Sequence, residues 1–270
     1  MVATALVAAE APPVVAWISV CAMLSAIMIQ IGTNFVNDAI DFVKGADKET
    51  RLGEARASQQ GWFTHKMVLG LGIGFFVLAF LLGIPLVYVG GWTICIVGIL
   101  SLLMGYSYTG GPFPLAYLGL GDFFVIIFFG LVAVGGVYFL QTGQYTLSPL
   151  VAGLQIGLLA TVLIAINNLR DLDQDREVGK KTLAVRLGPR RGRLEVAALV
   201  IGAYALNLYW MERGLFLAFA LPLFSLPLAM RLVFAVLRTE ASRTFNQFLA
   251  QAALLHMLFG MLLSLGLILE

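Results

Sequence analysis

Polar residues in this chain are confined to a few short stretches, and long apolar segments run between them. Segments of roughly 20 residues, enough to cross a bilayer as a helix, lie at 13–36, 67–84, 88–108, 121–141, 147–168, 194–211, 214–236 and 247–268. The pattern predicts an all-α, polytopic membrane bundle with eight full transmembrane helices, forming one domain over 1–270. Ahead of them stands MVATALVAAEAPP, residues 1–13, too short to span and ended by Glu10 and Pro12-Pro13. A signal peptide would carry a basic start, which this stub lacks. It reads instead as the tail of a first helix cut short by a late start codon, which makes nine helices in all.

Composition agrees. The 270 residues are 60% hydrophobic and 12% charged, against roughly 25% charged in an ordinary globular protein. A soluble domain cannot hide that much apolar surface, whereas a membrane protein leaves it in lipid. Membrane lipids are therefore expected partners, and nucleic acid is not. Cys21 and Cys95 sit in apolar runs and read as packing residues.

A net charge of +2 matters less than where the charges fall. If the segment after residue 36 is cytoplasmic, alternation makes 37–66, 109–120, 169–193 and 237–246 cytoplasmic too. These loops and their helix ends then hold every one of the 17 Lys and Arg residues except Arg213. The positive-inside rule fixes that orientation, with the working side in the cytoplasm.

Acids collect on the same side. In NFVNDAIDFVKGAD, residues 34–47, Asn34, Asn37, Asp38 and Asp41 fall within an arc of about 100° on a helix. Asp47 follows in the loop. In INNLRDLDQDREVGKKTLAVRLG, residues 166–188, Asn167, Asn168, Asp171 and Asp175 share a similar arc, and Asp173 points the opposite way. A solvated helix end would explain one such cluster; two at matching helix ends read as an internal repeat. Carboxylates opposed across a cavity repel unless cations lie between them. Hard oxygen donors suit Mg²⁺, which keeps several waters and bridges carboxylates to phosphate. Lys180 and Arg186, interleaved with the acids of the second cluster, read either as topology signals or as diphosphate contacts, and the first loop offers Lys44, Lys48 and Arg51 for the same task. Arg190, Arg191 and Arg193 read as topology signals. Diphosphate, Mg²⁺ and a lipid-facing cavity together imply a prenyl diphosphate substrate.

These two stretches resemble the aspartate-rich motifs of the UbiA superfamily of intramembrane prenyltransferases, in helix number, placement and orientation from residue 13 onward. The usual first motif is N-D-x-x-D-x-x-x-D; here the last Asp comes two residues later, at Asp47. That spacing, the N-N-x-R-D-x-x-x-D of the second motif, and YSYTGGPFPLAYLGLGDFFVIIFFG at 106–130 are similar to the branch that prenylates 1,4-dihydroxy-2-naphthoate. Residues 1–12 hold no Arg or Lys, where that branch carries a basic segment.

The resemblance implies a polyprenyl diphosphate donor, loss of diphosphate and CO₂, and demethylmenaquinone as product. It implies Mg²⁺ held by Asp38, Asp41, Asp47, Asp171 and Asp175, with Asn37 and Asn168 ligating or orienting. Asp41, Asp171 and Asp175 would carry catalysis, with Asp122, Tyr106 and Tyr108 near the entering acceptor. Lys44, Arg170, Lys180 and Arg186 would meet diphosphate or the acceptor carboxylate. Asp122 has a simpler reading as a helix-dipole partner. Another aromatic acceptor, such as 4-hydroxybenzoate or homogentisate, is the alternative within this architecture. A divalent-cation transporter is the alternative outside it, although transporter acids usually sit at the midplane on broken helices.

Overall fold

The computed structural model describes residues 1–270 apart from Pro12 and 48–50, so the expectation for Lys48 lies outside the described residues. Backbone in lipid must satisfy its own hydrogen bonds, and every long apolar segment is helical. In chain order the elements are α1 (Val2–Glu10), α2 (Ala16–Val43), the two arms α3 (65–90) and α4 (92–107) of one 43-residue helical run, and α5 (Gly121–Thr142). There follow α6 (Leu147–Arg170), the short α7 (Leu172–Glu177), α8 (Leu183–Glu212), α9 (Phe216–Arg238) and α10 (Phe245–Leu269). No strand occurs among the described residues.

The expected break between 84 and 88 moves. The helix runs through Pro85 and turns at Gly91, whose φ of 61° and ψ of −150° only glycine adopts readily. Past that turn the arms double back: Phe76 of α3 lies 3.3 Å from the Cβ position of Gly105 on α4. Ser25 of α2 donates to the Ala79 carbonyl at 3.0 Å, so α2 packs along the same pair. Among the described residues, seven helices are long and apolar enough to cross a membrane, and the Gly91 turn divides one of them into two crossings. Eight crossings result, with α1 beside them.

The nine residues of α1 rise only about 14 Å. Val2, Ala3, Ala5, Leu6 and Val7 bury themselves in the main core against α5 and α10. α6 is the most enclosed crossing. Small residues let α5 and α6 meet backbone to backbone: a Cβ on Gly130 would lie 2.8 Å from the Gly157 Cα. Gly130 sits in a π-helical stretch, Ile126–Val132.

The bundle has two unlike ends. At one, Glu10 accepts from Tyr138 (2.9 Å) and Ser148 (2.6 Å), and Arg213 lies 3.9 Å away. Arg213 is the basic residue that stands apart from the rest, and it has an acid to meet. The other end gathers both acid clusters. There α8 begins eleven residues before its apolar run, because Thr182 accepts from the Val185 amide (3.4 Å) and caps the helix.

Candidate active site

The acids meet where α2, α6 and α7 end. Asp41, Asp47, Asp171 and Asp175 line one cavity of about 20 Å³ with Arg51, Arg56, Asn167, Gln174 and Lys180. That is room for roughly one water. All four acids are buried, and each has a cation. Lys180 Nζ stands 3.7 Å from both Asp41 and Asp175, joining the two clusters through one ammonium. Asp47 pairs with Arg51 and, at 3.7 Å, with Arg56. Arg170 grips Asp171 with two N–H donors, at 2.8 and 2.7 Å.

Burial pushes the Asp175 carboxyl up to about 6, with Lys180 opposing and the charges of Asp171 and Asp41 adding to the rise. Burial likewise lowers Lys44, with Asp41 opposing and Lys180 adding to the fall.

Tyr117, in the loop between α4 and α5, organises the first side. Its hydroxyl donates to Asp41 at 2.9 Å, and its ring lies 3.9 Å from Lys44 Nζ and 5.5 Å from Lys180 Nζ. One aromatic ring therefore meets two cations beside the acids. Burial raises this phenol well above its ordinary range, and the charge of Asp41 adds to it. The Lys181 amide donates to the Tyr117 carbonyl (3.1 Å), so the loop before α5 and the loop before α8 hold each other.

Several expected residues point elsewhere. Asp38 is buried, but its two oxygens accept from the amides of Ala57 (2.9 Å) and Ser58 (3.1 Å), tying down the loop after α2. Asn37 accepts from the Thr109 hydroxyl at 2.7 Å. Asp41 thus faces the cavity, while these two meet neighbouring loops. Asn168 is buried outside the cavity lining, and Asn167 lines it instead. Lys44 reaches the Thr109 carbonyl (2.8 Å). Arg186 is exposed and donates to the Leu118 (2.9 Å) and Lys181 (3.2 Å) carbonyls, away from the acids. Tyr106 is 38% exposed and its ring lies against Gly110. Arg170 has four donor contacts already, to Asp171, Asn167 and Asn246. Asp173 points outward to Arg176 at 3.5 Å, as its helical phase predicts.

Deeper in the bundle lies a second acidic position. Asp122, at the start of α5, is buried and its Oδ1 has no hydrogen-bond partner. Tyr108 packs against Gly121 beside it, and Glu195 of α8 lies close enough to feel its charge. Tyr117, Arg56, Glu195 and Asn246 escaped the sequence reading. Only Tyr117 left a signal, by falling within the 106–130 stretch.

The donor set bears on magnesium. Both oxygens of Asp47 are buried and, among the described residues, meet ion-pair partners without a hydrogen bond, which suits a hard cation. No three acidic, histidine or cysteine side chains among the described residues converge as a preformed cage. The set fits an ion that takes one or two carboxylates and completes its shell with water and phosphate.

A protein from Haemophilus influenzae named 1,4-dihydroxy-2-naphthoate octaprenyltransferase is 36% identical over 263 residues, covering 93% of this chain and 84% of that protein. Proteins of the same name from Escherichia coli and Bacillus subtilis are 39% and 28% identical, over 69% and 92% of this chain and 62% and 80% of their own lengths. The UbiA prenyltransferase family profile matches residues 1–265. With that match running through both acid clusters and nearly every helix, the chain belongs to the UbiA prenyltransferase family.

Proposed function

We propose that the chain transfers a polyprenyl group from polyprenyl diphosphate to 1,4-dihydroxy-2-naphthoate, with release of diphosphate and CO₂. The observation that carries it is the convergence of Asp41, Asp47, Asp171 and Asp175 on one cavity, with Lys180 shared between the two sides. The names of the relatives supply the acceptor. The skewed distribution of the 17 basic residues supports a site facing the cytoplasm of a bacterial cell.

The allylic C–O bond breaks and the diphosphate departs with the electron pair. Mg²⁺, when bound, offsets the charge that develops on the leaving group. Asp41 and Asp47 would hold it on one side, Asp171 and Asp175 on the other. Lys180 and Lys44, both beside the Tyr117 ring, neutralise phosphate oxygens as charge-assisted donors. The apolar bundle keeps water from the allyl cation. The ring carbon bearing the carboxylate attacks that cation, and loss of CO₂ returns the electron pair to the ring. Asp122, with its free buried oxygen, positions a hydroxyl of the acceptor.

The transporter alternative loses its ground, because the carboxylates cluster at helix ends in a member of a prenyltransferase family. The acceptor is tested by incubating purified protein with Mg²⁺, a polyprenyl diphosphate and carboxyl-labelled dihydroxynaphthoate. One label should be released per prenylated product. Label retained in the product, or equal rates with the decarboxylated ring, would assign the chain another acceptor within its family.

A further inference from the structure

We infer that Asn246, near the start of α10, is a positioning residue that latches the loop behind the first acid cluster onto the second. Its Oδ1 accepts from Arg170 Nη1 at 2.7 Å, and its Nδ2 donates to the Leu52 carbonyl at 3.0 Å. Arg170 in turn fixes both oxygens of Asp171, while Arg51, next to Leu52, pairs with Asp47. A single carboxamide therefore connects the segment that sets Asp47 to the guanidinium that sets Asp171. The loop presses on this joint: a Cβ on Gly53 would lie 2.6 Å from Arg170 Nη2 and 2.9 Å from Arg51 Nε.

The chemistry calls for asparagine. One group must accept from a cation and donate to a carbonyl, which a neutral carboxamide does. Aspartate could not donate to the Leu52 carbonyl, and its charge would compete with Asp171 for Arg170. An apolar residue would leave a buried N–H of Arg170 unpaired. Supporting partners of this kind, when removed, cost about 10- to 100-fold in ligand affinity or activity.

The inference rests on the diphosphate site proposed above, and its test is readable without the acceptor. Full-length N246A, N246D and G53A would be purified in lipid micelles beside wild type. Trypsin cleavage after Arg51 and Arg56 would be timed with and without Mg²⁺ plus inorganic pyrophosphate, and KM for polyprenyl diphosphate measured separately from kcat. N246A should be cut about tenfold faster. Its KM for the donor should rise about tenfold, with kcat changing less. N246D keeps an acceptor for Arg170 but should release the loop just as fast. G53A reaches the joint from the loop side and should give the same signature, so the inference stays testable if N246A does not fold. Cleavage and donor KM within twofold of wild type in folded N246A or G53A would overturn it. Failure of the naphthoate assay alone, with these shifts intact, would revise the acceptor and leave the latch standing.

Discussion

Replacing Asp171 by Ala should unfold the protein more easily as well as stop turnover, because the carboxylate holds a buried charge. The Arg170 side chain is 3% exposed and gives Asp171 two donors, at 2.8 and 2.7 Å. Breaking a buried ion pair by deleting one partner costs about 3–5 kcal/mol, since the other charge is left uncompensated. Asn167 and Asn246 still accept from the guanidinium, at 2.8 and 2.7 Å, which puts the loss at the low end, about 3 kcal/mol. Such a loss shifts the folded-to-unfolded ratio by about 150-fold. Arg170→Met in the same chain removes the stranded charge. The double variant should therefore recover about 1–2 kcal/mol over Asp171→Ala, while turnover stays abolished in both. Thermal and denaturant unfolding of the three variants, with diphosphate release as the activity assay, measures the cycle. Strictly additive losses, or an Asp171→Ala protein as stable as wild type, would refute the reasoning.

Asp175→Asn tests the electrostatics by pH. The folded carboxyl titrates at about 6 and the unfolded one near 4, so its contribution is intact below about pH 4 and is lost as pH rises through 6. The variant should outlast wild type by about 3 kcal/mol at pH 8, be level with it at pH 4, and be inactive; a pH-independent difference in melting would contradict this. Tyr117→Phe removes a hydrogen bond to a buried carboxylate, worth about 1.5–3 kcal/mol, and kcat/KM for the donor should fall about 10- to 100-fold in steady-state assays. Asp173→Asn, outward-facing beside Arg176, should keep turnover within about twofold, because exposed ion pairs contribute little.

What the sequence made legible follows from how the signals arise. Apolar length predicted the crossings, since bilayer thickness sets it. The turn between α3 and α4 falls a few residues beyond the apolar boundaries, because a left-handed φ at Gly91 makes the bend and hydropathy does not register it. The start of α8 was hidden because its first turns are basic, and a cap rather than an apolar run begins it. In the site, Asp41, Asp171 and Asp175 followed from helical phase, and Lys180 from its place among the acids. Phase could not separate Asp38 from Asp41, because the choice depends on where residues 57 and 58 return. Nor could it find Asn246, which lies 76 residues beyond Arg170.

The charge balance at the cavity bears on how a donor could bind. Asp41, Asp47, Asp171 and Asp175 are matched by Arg51, Arg56, Arg170 and Lys180, so these eight side chains sum to zero. A polyprenyl diphosphate brings about three further negative charges. Entering alone, it would draw Lys180 and the arginines towards its oxygens and leave buried carboxylates facing one another, an arrangement that costs several kcal/mol. Divalent cations arriving with it would replace the ammonium between Asp41 and Asp175 and free Lys180 for the phosphate. The ion-paired state and the substrate-bound state would then use the same carboxylates with different cations. The lysine that joins the clusters works best if it is displaceable, and its 3.7 Å distances are longer than the 2.7–2.9 Å of a tight charge-assisted hydrogen bond. Arg170, gripped at 2.7–2.8 Å by Asp171 and two carboxamides, is built to stay.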